Sequence, residues 1–224
     1  MIRALMTAIL ATALLTAAPA ADAAAKPQTT WDGLVQVKSK RLDAAFLAPG
    51  ADFRPYSKVM LDQTEVDFRK NWLRDYNSSA GLSARMSDAD AQKILDQVRT
   101  GFEKIFIKAY QDAGYAVVAA PGPDVVRLRT GVINLAITAP DRMTPGRSYT
   151  FSRDAGEATL VLEARDSVTG ALLGRGLDRR AVGDTGPYLR TSVSNRADFS
   201  NIFHAWAKAS VDALTELKAR SRSK

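Results

Sequence analysis

The chain of 224 residues contains no cysteine. It can form no disulfide, present no thiolate nucleophile and hold no iron–sulfur cluster. It also lacks the cysteine that a bacterial lipoprotein carries directly after its leader, because the region in question reads Ala20-Ala21-Asp22-Ala23-Ala24-Ala25. No lipid anchor is expected there. Histidine is nearly as scarce. His204 is the only one, and it stands two positions from both Ile202 and Trp206, nearly opposite the apolar stripe of its segment. One exposed imidazole does not build a metal site. No Gly-x-Ser-x-Gly elbow is present, and no serine can be assigned a base. The glycines of Gly170-Ala171-Leu172-Leu173-Gly174-Arg175-Gly176 imitate a phosphate cradle only in spacing, since they fall on a predicted hairpin rather than between a strand and a helix. Small residues there read as close packing or a bulge. The sequence thus offers no catalytic residues, no metal site and no cofactor site. We expect no enzyme.

What is present begins with a leader. Arg3 supplies a positive charge, Ala4 to Ala18 carries none, and the small-x-small patterns Ala18-Pro19-Ala20 and Ala21-Asp22-Ala23 follow. The apolar run is too short to span a bilayer and reads as a secretory signal peptide over residues 1–23, cut after Ala20 or Ala23. We expect a periplasmic protein, soluble and without a lipid anchor, with no later transmembrane segment. Residues 24–40 read as a flexible arm whose end docks through Trp31 and Leu34, residues 41–219 as a single domain, and residues 220–224 as a basic tail. A body of roughly 180 residues can bury a core by packing alone.

The balance of 31 basic and 24 acidic residues gives a net charge of +7, concentrated late at Arg175, Arg179, Arg180, Arg190 and Arg196, then Lys218, Arg220, Arg222 and Lys224. Solvated charge explains most of this. Arg179, Arg180 and Arg190 are the candidate basic surface, with weak attraction to an anionic envelope surface as its use. No stripe of bases interleaved with aromatics suggests nucleic acid.

Hydrophobic periodicity supplies the elements. Tyr56 to Asp62 reads as a strand, with a continuation towards Val66, and Phe68 to Tyr76 as a short helix with Phe68, Trp72 and Tyr76 on one face. Asp88 to Ala113 reads as a long helix: Ser87 is a good N-cap, and Ile94, Leu95, Val98, Phe102, Ile105 and Phe106 form a stripe. Gly114 ends it and a strand starts at Tyr115, which implies a parallel crossover onto the strand near residue 60. From Val125 to Thr138 the apolar phase slips from even to odd positions, which predicts a bulge around Thr130-Gly131. Glu157 to Arg165 alternates, with Ala158, Leu160, Leu162 and Ala164 inward, and pairs with Ala171 to Val182 around a turn ending in Gly170. A last helix over 197–219 carries Phe199, Ile202, Phe203 and Trp206 on one side. The expected fold is α+β: one mixed, mostly antiparallel sheet with two long amphipathic helices packed on one face.

Candidate ligand residues are the aromatics Trp31, Tyr56, Trp72 and Tyr76, which with Phe46 and Phe53 could line a groove, and Arg175. In an unbroken hairpin register Arg175 falls near Leu162 on the inner face, where it needs a carboxylate or a ligand; a register shift or bulge removes that need. Asp62, Glu65 and Asp67 offer either an acid–base pair or a solvated edge.

The stretch Tyr56 to Asp62, the helix closing on Ala113-Gly114-Tyr115, and Glu157-Ala158 through Arg165-Asp166-Ser167-Val168-Thr169-Gly170 with Asp178-Arg179 resemble the bacterial domain-of-unknown-function family 3313. The likeness spans nearly the whole body. It implies an envelope protein, since the members are mostly described as envelope lipoproteins, and it implies no activity and no functional residue. This chain departs from them in lacking the lipid-bearing cysteine. The expected role is an envelope accessory protein that binds a protein partner; the alternative is a small-ligand binder using the aromatic groove. Oligomeric state is left open.

Overall fold

The computed structural model describes residues 28–82, 85–138, 150–152, 156–182, 188–190 and 192–220, without the side chains of 150–152, 188–190 and 192–194. The predicted leader, residues 24–27 of the arm, residues 139–149 and residues 221–224 of the tail lie outside the described residues. In chain order the elements are β1 (Val35–Val37), β2 (Ala44–Leu47), β3 (Lys58–Leu61), β4 (Glu65–Phe68), α1 (Trp72–Ser79), α2 (Asp88–Asp112), β5 (Ala116–Val117), β6 (Val125–Ile137), β7 (Thr150–Ser152), β8 (Gly156–Asp166), β9 (Leu172–Val182), β10 (Tyr188–Arg190) and α3 (Ser192–Arg220). Eight strands form one mixed sheet in the order β1-β2-β9-β8-β6-β3-β5, with β4 also on β6, and β7 pairs with β10 in a separate ribbon. The fold is α+β.

α2 follows from local rules. The Ser87 hydroxyl accepts the Asp90 backbone N–H at 3.1 Å and donates to the Asp90 carboxylate at 2.7 Å, so the first turn is closed by side chains. Asp88 and Asp90 sit at the positive end of the dipole. The chain leaves the helix through Gly114 into β5, which pairs parallel with β3, giving the expected crossover.

β6 is the spine of the sheet. Its first half pairs parallel with β3 (Lys58↔Val125 to Leu61↔Leu128) and its second half parallel with β4 (Glu65↔Gly131 to Phe68↔Leu135). The single strand expected to run on towards Val66 is therefore two strands laid end to end along one neighbour. At the break, buried Thr64 turns inward and its hydroxyl meets that of Thr130 at 2.8 Å. α2 satisfies the backbone left over: Thr64 N–H donates to the Glu103 carboxylate at 2.7 Å, and Thr64 C=O accepts from Arg99 at 3.0 Å.

The phase slip in β6 is real but sits later than Thr130-Gly131. Register against β8 shifts between Ile133 and Ala136, and Asn134 takes φ 53°. Thr130 and Val132 still face the core, so a polar core residue disguises the even phase four residues beyond its apparent end. Asparagine tolerates the left-handed region better than most residues, which suits it to the bulge. Opposite it, Gly156 has φ 137°, and a Cβ there would run into the Ala136 carbonyl.

The β8–β9 hairpin also carries a bulge. Pairing runs from Gly156↔Val182 to Ala164↔Gly174 and then shifts at Arg165↔Leu172. Arg175 therefore stands opposite Glu163, and Leu162 faces Gly176. The unbroken register that placed Arg175 beside Leu162 is corrected by one residue. Gly174 and Gly176 lie under Leu47 and Leu42, where an added Cβ would come within 2.8 and 2.6 Å of those side chains. These glycines serve close packing.

α1 starts at Trp72 instead of Phe68, because Phe68 is held in β4 opposite Leu135 and Asn71 adopts φ 64°. The three aromatics still stack, with centroids 4.2 Å apart for Phe68–Trp72 and 5.6 Å for Trp72–Tyr76. α3 begins five residues before the expected Ala197. Phe102, Phe106 and Trp206 have 0% exposure and share one core with Val126, Leu128, Val132 and Leu160. Phe102 and Phe203 meet edge to face at 5.4 Å, joining α2 to α3. Buried Asp178 accepts from the Trp206 indole at 2.7 Å, from Arg180 at 2.6 Å and from the Asp43 backbone N–H at 3.2 Å, which ties β2, β9 and α3 together.

Candidate functional site

Val98, Gly101 and Ile105 follow one another three and four residues apart and so share one face of α2. A glycine in the middle of that ridge leaves a gap one side chain deep. Across the gap stand Phe199 and Phe203 of α3, each nearly buried, and Ile94 and Ile137 complete the apolar lining. The result is a groove of about 450 Å³ between the two long helices, open to solvent. This lies within the range of small-molecule and segment-binding clefts. A Cβ built on Gly101 meets nothing within 4 Å. Lys104 of α2 and Arg196 of α3 stand at the rim, both exposed, and neither has an acidic partner among the described residues.

The groove residues were visible as parts of two apolar stripes. The gap was not, because it depends on where α3 crosses α2.

The candidate aromatics do not gather in one groove. Trp72 is buried in its stack with Phe68 and Tyr76 beside β4. Tyr56 is buried at the other end of the sheet. Its hydroxyl donates to Asp166 at 2.9 Å, and burial, helped by that carboxylate, pushes its pKa up to about 12. Asp166 pairs with Val126 and Phe68 with Leu135, nine residues further along β6, or roughly 30 Å at the rise of a strand. Trp31 is 94% exposed on the turn between Thr30 and Leu34.

Arg175 does find carboxylates. Its guanidinium bonds Glu163 at 2.8 Å and Asp32 at 2.7 Å. Burial works to raise the Glu163 pKa, but hydrogen bonds from Arg175 and Arg165 outweigh it and hold the carboxyl below its ordinary range. The Thr30 hydroxyl, then Arg175, hold Asp32 low as well. The candidate basic surface is largely spent in pairs: Arg179 bonds Glu157, and Arg180 bonds Asp178. The Arg190 side chain lies outside the described residues. Asp62 accepts from Arg127 at 2.8 Å and Glu65 bonds Arg129 at 3.4 Å, so these two acids form a paired edge, and Asp67 is exposed. His204 is exposed. Among the described residues no three His, Asp or Glu could hold a metal ion, and no helix is long and apolar enough to cross a membrane.

Among solved structures, a Xanthomonas campestris protein matched by the family model DUF330 is 12% identical, with a TM-score of 0.43 over 80% of this chain and 94% of that one. A PelC dodecamer from Paraburkholderia phytofirmans gives 13% identity and a TM-score of 0.35 over 72% and 93%. Lipoprotein GNA1162 from Neisseria meningitidis gives 13% identity and a TM-score of 0.22 over 58% and 84%. No curated protein matches the sequence. The family model described as "Protein of unknown function (DUF3313)" matches residues 24–210, and the chain belongs to that family.

Proposed function

We propose that this chain is an exported, non-enzymatic accessory protein of the bacterial envelope, and that it grips an apolar, acidic segment of a partner protein in the groove between α2 and α3. In this reading residues 1–23 direct export and are removed, residues 24–40 form the arm, and residues 41–219 act as one body with both long helices on one side of the sheet. The observation that carries it is the groove: lined mainly by apolar side chains, interrupted at Gly101, with two cations at its rim that have no acidic partner among the described residues. An amphipathic helix bearing acids on one flank fits such a cleft, apolar face inward and carboxylates towards Lys104 and Arg196. The polar clusters elsewhere support the same reading, because their carboxylates and guanidinium groups are engaged with one another.

The test uses a fluorescent amphipathic peptide rich in leucine and glutamate, titrated by anisotropy. Gly101→Trp fills the gap, at a position where an added Cβ meets nothing within 4 Å. Peptide binding by the native chain that is lost in Gly101→Trp, and weakened about tenfold by Lys104→Glu with Arg196→Glu, is the expected result. Equal binding by native chain and Gly101→Trp overturns the groove. Displacement of the groove by a small apolar probe with no peptide binding would favour the small-ligand reading. Export is read separately, from a periplasmic fraction in which the mass of the chain corresponds to cleavage after Ala20 or Ala23.

A further inference from the structure

α3 meets different neighbours along its length. Its first half, with Phe199 and Phe203, lines the groove with α2. In its second half Ala209, Ala213 and Leu217 follow one another four residues apart on one face, opposite β2. Two alanines of α3 set against Ala45 of β2 leave a space that larger side chains would fill. The result is a second groove of about 700 Å³, which shares no residue with the first. Behind it lies a smaller hollow of about 90 Å³, lined in part by Leu128, Leu162 and Leu214. Leu42, Ala45, Leu47, Ala213 and Leu217 wall both spaces.

The walls select what enters. The apolar side chains of the outer groove are all aliphatic. In the inner hollow the Tyr110 and Ser210 hydroxyls are closed on each other at 2.6 Å. A peptide pressed against such walls would strip water from its amides and gain no partner there. An alkyl chain leaves water at no such cost. The polar side of the groove selects what the chain would carry. Residues 38–41 join β1 to β2, and the Ser39 hydroxyl fixes their turn by accepting the Arg41 and Leu42 backbone N–H groups at 3.2 and 3.0 Å. Arg41 ties that turn to α3 through Glu216 at 2.7 Å and Asp212 at 3.3 Å, so both acids are answered. Arg220 also faces Glu216. Lys38 and Lys40 are different. Both line the groove, both are exposed, and neither has an acidic partner among the described residues.

We propose that the groove between α3 and β2 binds a free fatty carboxylate, with the alkyl chain along the aliphatic walls and the carboxylate against Lys38 and Lys40. The two ammonium groups act on the head as compact point charges. The forked guanidinium of Arg41, which would suit a phosphate head, is already engaged. The space is within the range of clefts that bury a small ligand. This site does not depend on what the α2–α3 groove binds.

The test uses a dansylated undecanoate below its micelle-forming concentration, whose emission shifts to the blue when it leaves water. The native chain should shift it. Dodecanoate should displace the probe, and dodecyltrimethylammonium, with the same chain and the opposite head, should not. Lys38→Gln with Lys40→Gln changes two exposed side chains and should weaken binding about tenfold, and added salt should act in the same direction. Ala213→Trp fills the groove and should abolish binding; the lysine pair keeps the test open if that variant does not fold. Gly101→Trp, which blocks the other groove, should bind the probe as the native chain does. No shift with the native chain overturns the proposal, as does equal displacement by the two dodecyl compounds. So does binding lost in Gly101→Trp and kept in Ala213→Trp, or displacement by dodecyl phosphate but not by dodecanoate.

Discussion

The two faces of the β6–β8–β9 sheet are made by alternate residues of the same three strands and are held by different physics. One face carries Val126, Leu128, Val132, Ala158 and Leu160, which belong to the same core as Phe102, Phe106 and Trp206. The other presents Arg127, Glu157, Glu163, Arg165, Arg175 and Arg179, joined by ion pairs within and between strands. The first face is fitted by shape and excludes water. The second is wet, and its pairs work against side-chain entropy and solvent screening. Stability should therefore depend steeply on the first and shallowly on the second.

The comparison can be broken most directly at Trp206. Trp206→Ala removes a fully buried ring and one donor to Asp178, and should cost about 3–5 kcal/mol in chemical denaturation; a loss below about 1 kcal/mol would show that the two faces are equivalent. Trp206→Phe keeps an aromatic ring, though a smaller one, and deletes the N–H, with about 1–3 kcal/mol expected for the donor lost by buried Asp178 and a smaller cavity cost than in Trp206→Ala. Gly156→Ala probes the seam where β6 bulges, and should cost about 1–3 kcal/mol because backbone must move away from the new methyl group. On the wet face, Arg175→Ala should cost only about 1 kcal/mol, since Glu163 keeps Arg165. Smallest is the response to acid. Glu163, Glu157 and Asp32 have native pKa values held below their ordinary ones. Their contribution is fully present above the unfolded carboxylate range of about 4 and drains away as pH falls through the native values. A thermal melt followed from neutral to acid pH should decline along that limb, and Arg175→Gln should make the decline shallower.

The same contrast explains what could be read in advance. α2 was legible from end to end, because Ser87, the apolar spacing and Gly114 act within a few residues of themselves. The two hairpin strands and the crossover onto β3 were legible for the same reason. Features settled by distant partners were not. The β6 bulge was placed four residues early because Thr130 is a core residue whose only explanation is Thr64, 66 residues away. The start of α1 was moved by Leu135, and the carboxylates around Arg175 by a bulge and by an arm 143 residues distant. Of the α2–α3 groove, the lining was visible as two stripes, but its gap belongs to neither helix alone.

β2 and β9 are neighbours in the sheet although 44–47 and 174–177 are separated by most of the chain, and β3 and β4 likewise wait for β6. On a polypeptide synthesised N-terminus first, four short strands emerge well before the segments that will cover their edges. The β6–β8–β9 meander, by contrast, can close on itself as it appears. Assembly would then run backwards relative to synthesis: the late meander forms the template, and the early strands are recruited to its two flanks, leaving the first third of the chain as the stretch most in need of a chaperone.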